Sequence, residues 1–282
     1  MVSSKPDLYQ VVAAALAEDL GESNVDVTTA SIVDSDLMGE AVVVARKPGV
    51  LSGGDAAARV FEMVRPHSRY EALIADGMRL DAGAEVARVS GSLSSILIGE
   101  RTALNFLQRL SGIATMTRRY ADALAPYPNV ILLDTRKTTP GLRSLERAAV
   151  RAGGGHNHRD GLWDAILIKD NHVAAAGGVS QAVMRARKAG LPVEVEVDTL
   201  EQLAEALDAG AEIVLLDNMP VELMRKAVEI TAGRAKLEAS GGMTLEGAVA
   251  AARSGVDRIS VGALTHSAPA LDLSLEVKRT WR

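Results

Sequence analysis

The sequence contains no cysteine, which excludes disulfide bonds and thiolate metal ligands. No stretch of the chain reaches the roughly 18 apolar residues of a membrane span, so we expect no membrane-embedded segment. The first ten residues, MVSSKPDLYQ, lack the basic-then-apolar pattern of a signal peptide. Together these absences favour a cytoplasmic enzyme.

An excess of basic charge is also absent, because the formal net charge is −5. A general nucleic-acid-binding protein is usually basic, so we expect no nucleic-acid partner. From Asp134 to Lys169, however, seven basic and four acidic side chains give a local charge of +3. Such a cluster suits a small, highly anionic ligand. Within it, Arg147 and Arg151 follow helical spacing and are predicted to lie on a solvated helix face.

Short apolar runs recur through the C-terminal half. They are VILLDTR (130–136), AILIKDN (165–171), PVEVEVD (192–198), EIVLLDN (212–218), AKLEASGG (235–242) and DRISVGA (257–263). The last five begin about 20–27 residues apart, the length of a strand followed by a helix. Helices with capping signals are predicted at 199–210, 220–233 and 244–255. This alternation predicts an α/β fold with a parallel sheet.

Each run ends in polar residues, and in an α/β barrel the carboxyl ends of the strands face the active site. Six clear strands are fewer than the eight of a closed barrel, so we predict an open, incomplete α/β barrel; a doubly wound open sheet is the competing architecture. The first hundred residues instead predict an N-terminal α/β (α+β) domain. A long helix over 98–124 is predicted to be interrupted near Ser111–Gly112. The predicted domains are therefore 1–111 and 112–267, with the tail 268–282 packing on the first.

Candidate ligands of a phosphorylated substrate follow the later strands. Gly241, Gly242 and Gly262 lie where such barrels bind phosphate through backbone N–H groups, although they would also suit plain turns. Glu196 and Asp217 end neighbouring strands and would bind Mg²⁺ or ribose hydroxyls, or pair with nearby bases.

Two further groups of residues carry charge or metal-ligand chemistry. Arg136 and Lys137 leave a strand end and suit a carboxylate ligand, or are surface bases. His156-Asn157-His158 has the HxH spacing of some zinc hydrolases, but it precedes a strand instead of ending one, and no spacing supports further ligands.

These segments resemble a known family. DTRKTTPGLRSLERAAV, GGGHNHRDGLWDAILIKDNH, VEVEVDTLEQL, LLDNM, LEASGGM and VGALTHS together are similar to the motifs of quinolinate phosphoribosyltransferases, and EDLGESNVDVTT and ERTALNFLQRLSGIAT resemble the family's N-terminal motifs. The resemblance runs from about Glu18 to Ser267. It implies an N-terminal α/β domain, an open seven-stranded α/β barrel, and a homodimer or higher assembly. It also implies that quinolinate and phosphoribosyl pyrophosphate react, with Mg²⁺ as cofactor, to give nicotinate mononucleotide, pyrophosphate and CO₂ in de novo NAD synthesis.

The resemblance also implies roles for individual residues. Arg136, Arg159 and Arg101 would hold the two quinolinate carboxylates, with Arg101 reaching across from the neighbouring subunit. Lys137, Lys169 and His158 would line the same pocket, and Glu196 and Asp217 would contact ribose and Mg²⁺. Lys137, Lys169, Glu196 and Asp217 are the predicted catalytic residues. The predicted 5′-phosphate ligands are Ser240, Gly241, Gly242, Gly262 and His266.

The sequence departs from the family pattern at Arg147-Ala148, where lysine-tyrosine is common, and His156 receives no role. The nearest alternatives are a molybdenum-associated paralogue or a nicotinate phosphoribosyltransferase of the same fold. A metal-dependent hydrolase built on His156, His158 and His172, and a non-catalytic sensor of a phosphorylated metabolite, are more distant alternatives.

Overall fold

A computed structural model describes residues 8–282. By packing, the chain divides into two compact units. Among the described residues, unit 1 comprises residues 8–118, 138–154 and 268–282, and unit 2 comprises residues 119–137 and 155–267. The first domain predicted from the sequence, 1–111, begins with residues 1–7, which lie outside the described residues. Residues 138–154 fall in the second predicted domain, 112–267, whereas in the structure they belong to unit 1.

The helices and strands follow one another along the chain with short connections. In order they are α1 (Leu8–Leu20), α2 (Val27–Ile32), β1 (Met38–Ala45), β2 (Gly49–Val50), α3 (Gly54–Met63), β3 (Arg69–Ala72), β4 (Arg79–Leu80), β5 (Glu85–Ser92), α4 (Leu93–Leu124), β6 (Ile131–Leu133), α5 (Arg143–Ala152), β7 (Ile166–Ile168), α6 (Asp170–Ala176), α7 (Val179–Ala186), a 3-10 turn (Arg187–Ala189), β8 (Val193–Val197), α8 (Leu200–Asp208), β9 (Ile213–Asp217), α9 (Val221–Thr231), β10 (Lys236–Ser240), α10 (Leu245–Ser254), β11 (Arg258–Ser260), α11 (Ala263–His266) and β12 (Leu273–Trp281). Among these residues, no helix is both long and apolar enough to cross a bilayer.

Unit 1 is built around an antiparallel sheet with strand order β12-β1-β5-β3. The C-terminal strand β12 pairs along the whole of β1, from Met38 opposite Trp281 to Ala45 opposite Leu273. The apolar run of β1 and the apolar face of α3, which includes Phe61, are buried. This unit is the α+β domain that the first hundred residues predict.

Helix α4 continues through position 112, so the predicted interruption near Ser111–Gly112 is wrong. Gly112 serves close packing instead, because a Cβ there would lie 2.1 Å from the carbonyl oxygen of Pro269. Ser111 connects the helix to the backbone at Ser52, since its hydroxyl accepts from Ser52 N at 3.0 Å and donates to Ser52 O at 3.1 Å.

Helix α5 of unit 1 also departs from the prediction that Arg147 is solvated. Arg147 is only 6% exposed and Glu146 is fully buried. The Glu146 carboxylate accepts hydrogen bonds from Arg109, at 2.8 Å and 3.1 Å, and from both the N–H and hydroxyl of Thr139. Helical spacing identifies a face of the helix, but it does not reveal which neighbouring segment covers that face.

Unit 2 contains a parallel six-stranded sheet with order β6-β11-β10-β9-β8-β7, and its helices follow β7, β8, β9, β10 and β11. Side-chain caps define where two helices begin, because Thr199 accepts from Gln202 N and Thr244 accepts from Gly247 N.

The family resemblance implies seven strands, and the sheet has six. The difference in strand number lies at His156, which forms only an isolated parallel bridge with Leu133. The glycine-rich, polar segment around His156 adds only this bridge.

Candidate active site

A cavity of about 370 Å³ lies in unit 2 at the carboxyl ends of the parallel strands. Ten of the predicted site residues line it. They are Arg136, Lys137, His158, Arg159, Lys169, Glu196, Asp217, Ser240, Gly241 and Gly242. The sheet brings them together because parallel strands present all their carboxyl ends at the same edge.

The basic side of this cavity contains two guanidinium groups. Burial lowers the pKa of Arg159, and the charge of Arg136 lowers it further. The two cations are therefore close enough to repel each other, while arginine remains charged at neutral pH. An anion bound beside both would relieve that repulsion.

The two lysines of the cavity are held differently. Lys169 follows β7, and its Nζ lies 2.8 Å from Glu196 Oε2. Lys137 has an exposed side chain, while its carbonyl oxygen accepts from the Thr265 hydroxyl at 2.7 Å and its N–H donates to Thr135 Oγ1 at 3.1 Å. These two hydrogen bonds hold the main chain at Lys137 in place and so determine the position from which its side chain extends.

The acidic side is formed by Glu196 of β8 and Asp217 of β9, which are adjacent strands. Both are partly buried, and Asp217 Oδ2 accepts from the Asn218 amide at 2.9 Å. Carboxylate oxygens are the ligands that Mg²⁺ prefers, and this ion commonly takes only one or two from the protein. The donor set therefore fits Mg²⁺ when water and substrate oxygens supply the remaining ligands.

The turn after β10 has a backbone that only glycine suits. Gly241 has φ +95°, and a Cβ there would lie 2.3 Å from Asn218 Oδ1. Gly262, after β11, brings two predicted site residues together, because a Cβ on it would lie 3.1 Å from His266 Nε2 and 3.2 Å from Lys137 Cδ. The two glycines therefore allow Asn218, His266 and Lys137 to pack closely against these turns.

The segment between α5 and β7 is fixed by the fully buried Asp134 at the end of β6. Its carboxylate accepts from Asn157 Nδ2 at 2.6 Å and from the backbone N–H of His158 at 2.7 Å. The side chains of His156 and His172 are exposed, and His172 Nδ1 accepts the N–H of Lys169 at 3.0 Å. This segment thus delivers His158 and Arg159 to the cavity and leaves the other two histidines outside it.

Comparisons with known proteins agree with this arrangement. Residues 26–111 match the family described as quinolinate phosphoribosyl transferase, N-terminal domain, and residues 113–276 match its C-terminal domain. The chain belongs to the quinolinate phosphoribosyltransferase family.

Individual relatives support this membership. The chain is 44% identical to a probable nicotinate-nucleotide pyrophosphorylase [carboxylating] of Bacillus subtilis, over 92% of this chain and 90% of that protein. It is 42% identical to the chloroplastic enzyme of that name from Arabidopsis thaliana, over 96% and 83% respectively. The solved structure of the Francisella tularensis nicotinate-nucleotide pyrophosphorylase is 42% identical, covers 96% of each chain and has a TM-score of 0.91.

As a quinolinate phosphoribosyltransferase, the chain has one further predicted substrate ligand, Arg101, which is an exposed residue of α4 in unit 1.

Among the described residues, the group with metal-ligand spacing is His158, Glu194 and Glu238. It contains neither His156 nor His172, so the proposed zinc hydrolase site is not formed, and family membership does not favour that alternative.

Glu194 and Glu238 are the part of the cavity region to which sequence analysis gave no role. His158 Nε2 lies 2.9 Å from Glu194 Oε2 and 3.4 Å from Glu238 Oε1. Burial raises the pKa of Glu194. Burial lowers the pKa of His158, but the hydrogen bonds and charges of the two glutamates outweigh it and raise that pKa to about 10. A signal was present, because side chains two residues apart on a strand share a face, so Glu194 points as Glu196 does.

Proposed function

We propose that this protein transfers the phosphoribosyl group of phosphoribosyl pyrophosphate to quinolinate and releases CO₂. The products are nicotinate mononucleotide and pyrophosphate, which places the reaction in de novo NAD synthesis. The observation that carries the proposal is the composition of one cavity. Arg136, Arg159 and Lys169 line it together with Glu196 and Asp217, in a chain that matches both domains of the family.

Quinolinate is a dianion with two carboxylates on one pyridine ring, and the basic side of the cavity suits it. Arg136 and Arg159 supply two planar guanidinium groups that can pair with carboxylates through two hydrogen bonds each. Lys169 adds a point charge, and Lys137 lies near the turn at Gly262. A nicotinate phosphoribosyltransferase needs to hold only one carboxylate, so this set of cations favours quinolinate.

Phosphoribosyl pyrophosphate is proposed to lie along the other side. Ser240, Gly241 and Gly242 would hold its 5′-phosphate through backbone N–H groups, with Gly262 and His266 completing the site. Glu196 and Asp217 would accept hydrogen bonds from the ribose hydroxyls and hold Mg²⁺. When bound, Mg²⁺ supplies neutralisation of the charge on the leaving pyrophosphate.

The residues of the chain would act mainly by position and charge. The pyridine nitrogen attacks C1 of the ribose as the bond to pyrophosphate breaks, and positive charge develops on the sugar ring. The carboxylates of Glu196 and Asp217 would stabilise that charge. The positive charge of the new pyridinium nitrogen then stabilises the carbanion left on the adjacent ring carbon when its carboxylate departs as CO₂, and it is this carbon that is protonated. A proton from a lysine of the cavity, Lys137 or Lys169, or from water completes the product.

We also propose that the chain acts as a homodimer in the cytoplasm, with Arg101 completing the quinolinate site of the neighbouring subunit. Support comes from the family resemblance of the segment ERTALN, which carries Arg101, and from the exposure of that side chain.

The choice between quinolinate and nicotinate can be measured with the purified chain, phosphoribosyl pyrophosphate and Mg²⁺. We expect kcat/KM to be at least about tenfold higher for quinolinate, because nicotinate leaves one cationic clamp unpaired. Equal or higher kcat/KM for nicotinate would support the nicotinate enzyme instead. Turnover of neither acid would point to the molybdenum-associated paralogue.

A further inference from the structure

A second cavity, here called the unit 1 cavity, is lined by α1, α3 and the segment that follows α3. Its volume is about 570 Å³, which exceeds the 370 Å³ of the candidate active site. The described residues that line it all belong to unit 1, whereas those that line the candidate active site belong to unit 2. They are Tyr9, Arg59, Glu62, Met63, Arg65, His67 and Ser68. A volume of this size is typical of sites for small organic ligands.

Ser68 brings to this lining a buried hydroxyl that has no hydrogen bond. The residue is only 5% exposed, and within residues 8–282 its Oγ has no partner. Leaving a buried hydroxyl unpaired is unfavourable, and most buried polar side-chain atoms in proteins have a partner. A ligand that accepts the proton of this hydroxyl would therefore be stabilised at the cavity wall.

Arg59 of α3 contributes a second unpaired donor. Its Nε is buried and makes no hydrogen bond to the described part of the chain. Its Nη1 lies 2.9 Å from Glu62 Oε2, one helical turn away, and the two side chains are 42% and 58% exposed. An ion pair this exposed contributes little stability, so it can yield to another anion. The unpaired Nε–H of Arg59 and the Ser68 hydroxyl thus suit the same acceptor group.

The segment after α3 adds further donors. Arg65 Nη1 lies 2.8 Å from His67 Nδ1, and both residues are exposed. Because a guanidinium has donors only, Nδ1 of His67 accepts here, and its other ring nitrogen can donate. Two arginines and one glutamate give the lining a net charge of +1 without His67. Charge and donors together favour an anion with several acceptor oxygens.

We propose that the unit 1 cavity binds a phosphorylated metabolite of nucleotide size. A phosphate group offers several acceptor oxygens, and guanidinium groups bind such oxygens through paired hydrogen bonds. The ring of Tyr9 is 55% exposed and the Met63 side chain is partly exposed, so the same cavity offers apolar surface beside its donors. An aromatic side chain of this kind can stack on a nucleobase. This site is separate from the reaction proposed for unit 2, and its test does not depend on quinolinate.

Adenosine monophosphate is the probe, and isothermal titration calorimetry with the purified chain measures its binding. We expect saturable binding that Arg65→Gln weakens about tenfold or more, since a charged hydrogen bond to phosphate is lost. Arg69→Gln, at an exposed arginine of β3 outside the lining, is the matched control and should bind as wild type. Adenosine, which lacks the phosphate, should bind at least about tenfold more weakly for the same reason.

Two further variants decide where the ligand lies and what the hydroxyl does. Gly241→Ala alters the turn after β10 in unit 2 and should leave this binding unchanged. Ser68→Ala should unfold at the same or a higher Tm without ligand, because it removes an unpaired buried hydroxyl. With adenosine monophosphate, its Tm should rise less than that of wild type, because weaker binding stabilises less.

Several results would overturn the proposal. They are no binding of adenosine monophosphate to wild type, equal binding by Arg65→Gln, equal binding of adenosine, and a lower Tm of ligand-free Ser68→Ala, which would show that the hydroxyl is already bonded. Binding that is lost in Gly241→Ala and kept in Arg65→Gln would place the ligand in unit 2 and would also contradict it.

Discussion

Lys169 Nζ lies 2.8 Å from Glu196 Oε2, which links the basic side of the cavity to its acidic side. The Lys169 side chain is 49% exposed and that of Glu196 is 14% exposed. An ion pair this accessible to solvent contributes little net stability, at most about 1 kcal/mol. Substrate and Mg²⁺ would therefore replace the pair at small cost.

Removing the charge of Lys169 should weaken quinolinate binding. A hydrogen bond to a charged group is worth about 1.5–3 kcal/mol, so Lys169→Met should raise the KM for quinolinate about tenfold or more. Steady-state kinetics with quinolinate as the varied substrate measures this. Lys188→Met, on the exposed 3-10 turn, is the control. Equal KM values for wild type and Lys169→Met would show that Lys169 does not contribute to quinolinate binding.

Glu196→Gln should increase the Mg²⁺ concentration needed for half-maximal activity. The amide keeps the shape of the side chain but loses the charge that attracts the cation. Activity measured over a magnesium titration gives the shift, which we expect to be several-fold. Asp198→Asn changes an exposed acid at the end of the same strand and should leave the titration unchanged. Identical curves for wild type and Glu196→Gln would contradict the magnesium assignment.

Gly241→Ala should impair use of phosphoribosyl pyrophosphate. Its Cβ would lie 2.3 Å from Asn218 Oδ1 at a φ of +95°, so the turn must move. We expect the KM for phosphoribosyl pyrophosphate to rise at least fivefold, while quinolinate binding changes little. Gly233→Ala is a matched control, because Gly233 also has positive φ (+77°) but has no heavy atom within 4 Å of its added Cβ. If both variants changed the KM equally, backbone strain alone would explain the effect.

Arg101 is predicted to act on the neighbouring subunit's site. Co-expression of Arg101→Ala and Lys137→Ala chains should therefore regenerate one intact site in each mixed dimer and about half of the activity of the wild-type dimer. Arg136→Ala mixed with Lys137→Ala should not recover, since both residues belong to the same cavity. Activity of separated mixed dimers tests this, and lack of recovery in the first mixture would mean that Arg101 acts within its own chain or not at all.

Much of the fold follows from local patterns. The apolar runs identified all six parallel strands, and capping residues such as Thr199 and Thr244 marked where their helices begin. The predicted helix interruption at Gly112 was wrong, because a glycine inside a helical pattern also suggests a break. The reason for this glycine is that the backbone of Pro269 packs against it, and Pro269 is distant in sequence. The bridge at His156 was likewise hidden, since it depends on its partner Leu133 and not on an apolar run.

The cavity was predictable where residues end strands, as Arg136, Lys169, Glu196 and Asp217 do. Glu194 and Glu238 were assigned no role because acids inside apolar strands show no partner in the sequence. Their partner, His158, comes from a loop held by Asp134, and only the folded chain brings those segments together. Pairing of this kind depends on long-range geometry that spacing cannot reveal.

The central claim is that this protein makes nicotinate mononucleotide from quinolinate with loss of one carboxylate. The most direct measurement incubates the purified chain with phosphoribosyl pyrophosphate, Mg²⁺ and quinolinate labelled at the carboxylate next to the ring nitrogen, and quantifies both products. We predict equal amounts of nicotinate mononucleotide and labelled CO₂, and neither product without phosphoribosyl pyrophosphate. A mononucleotide that retains the label, or no mononucleotide at all, would contradict the account.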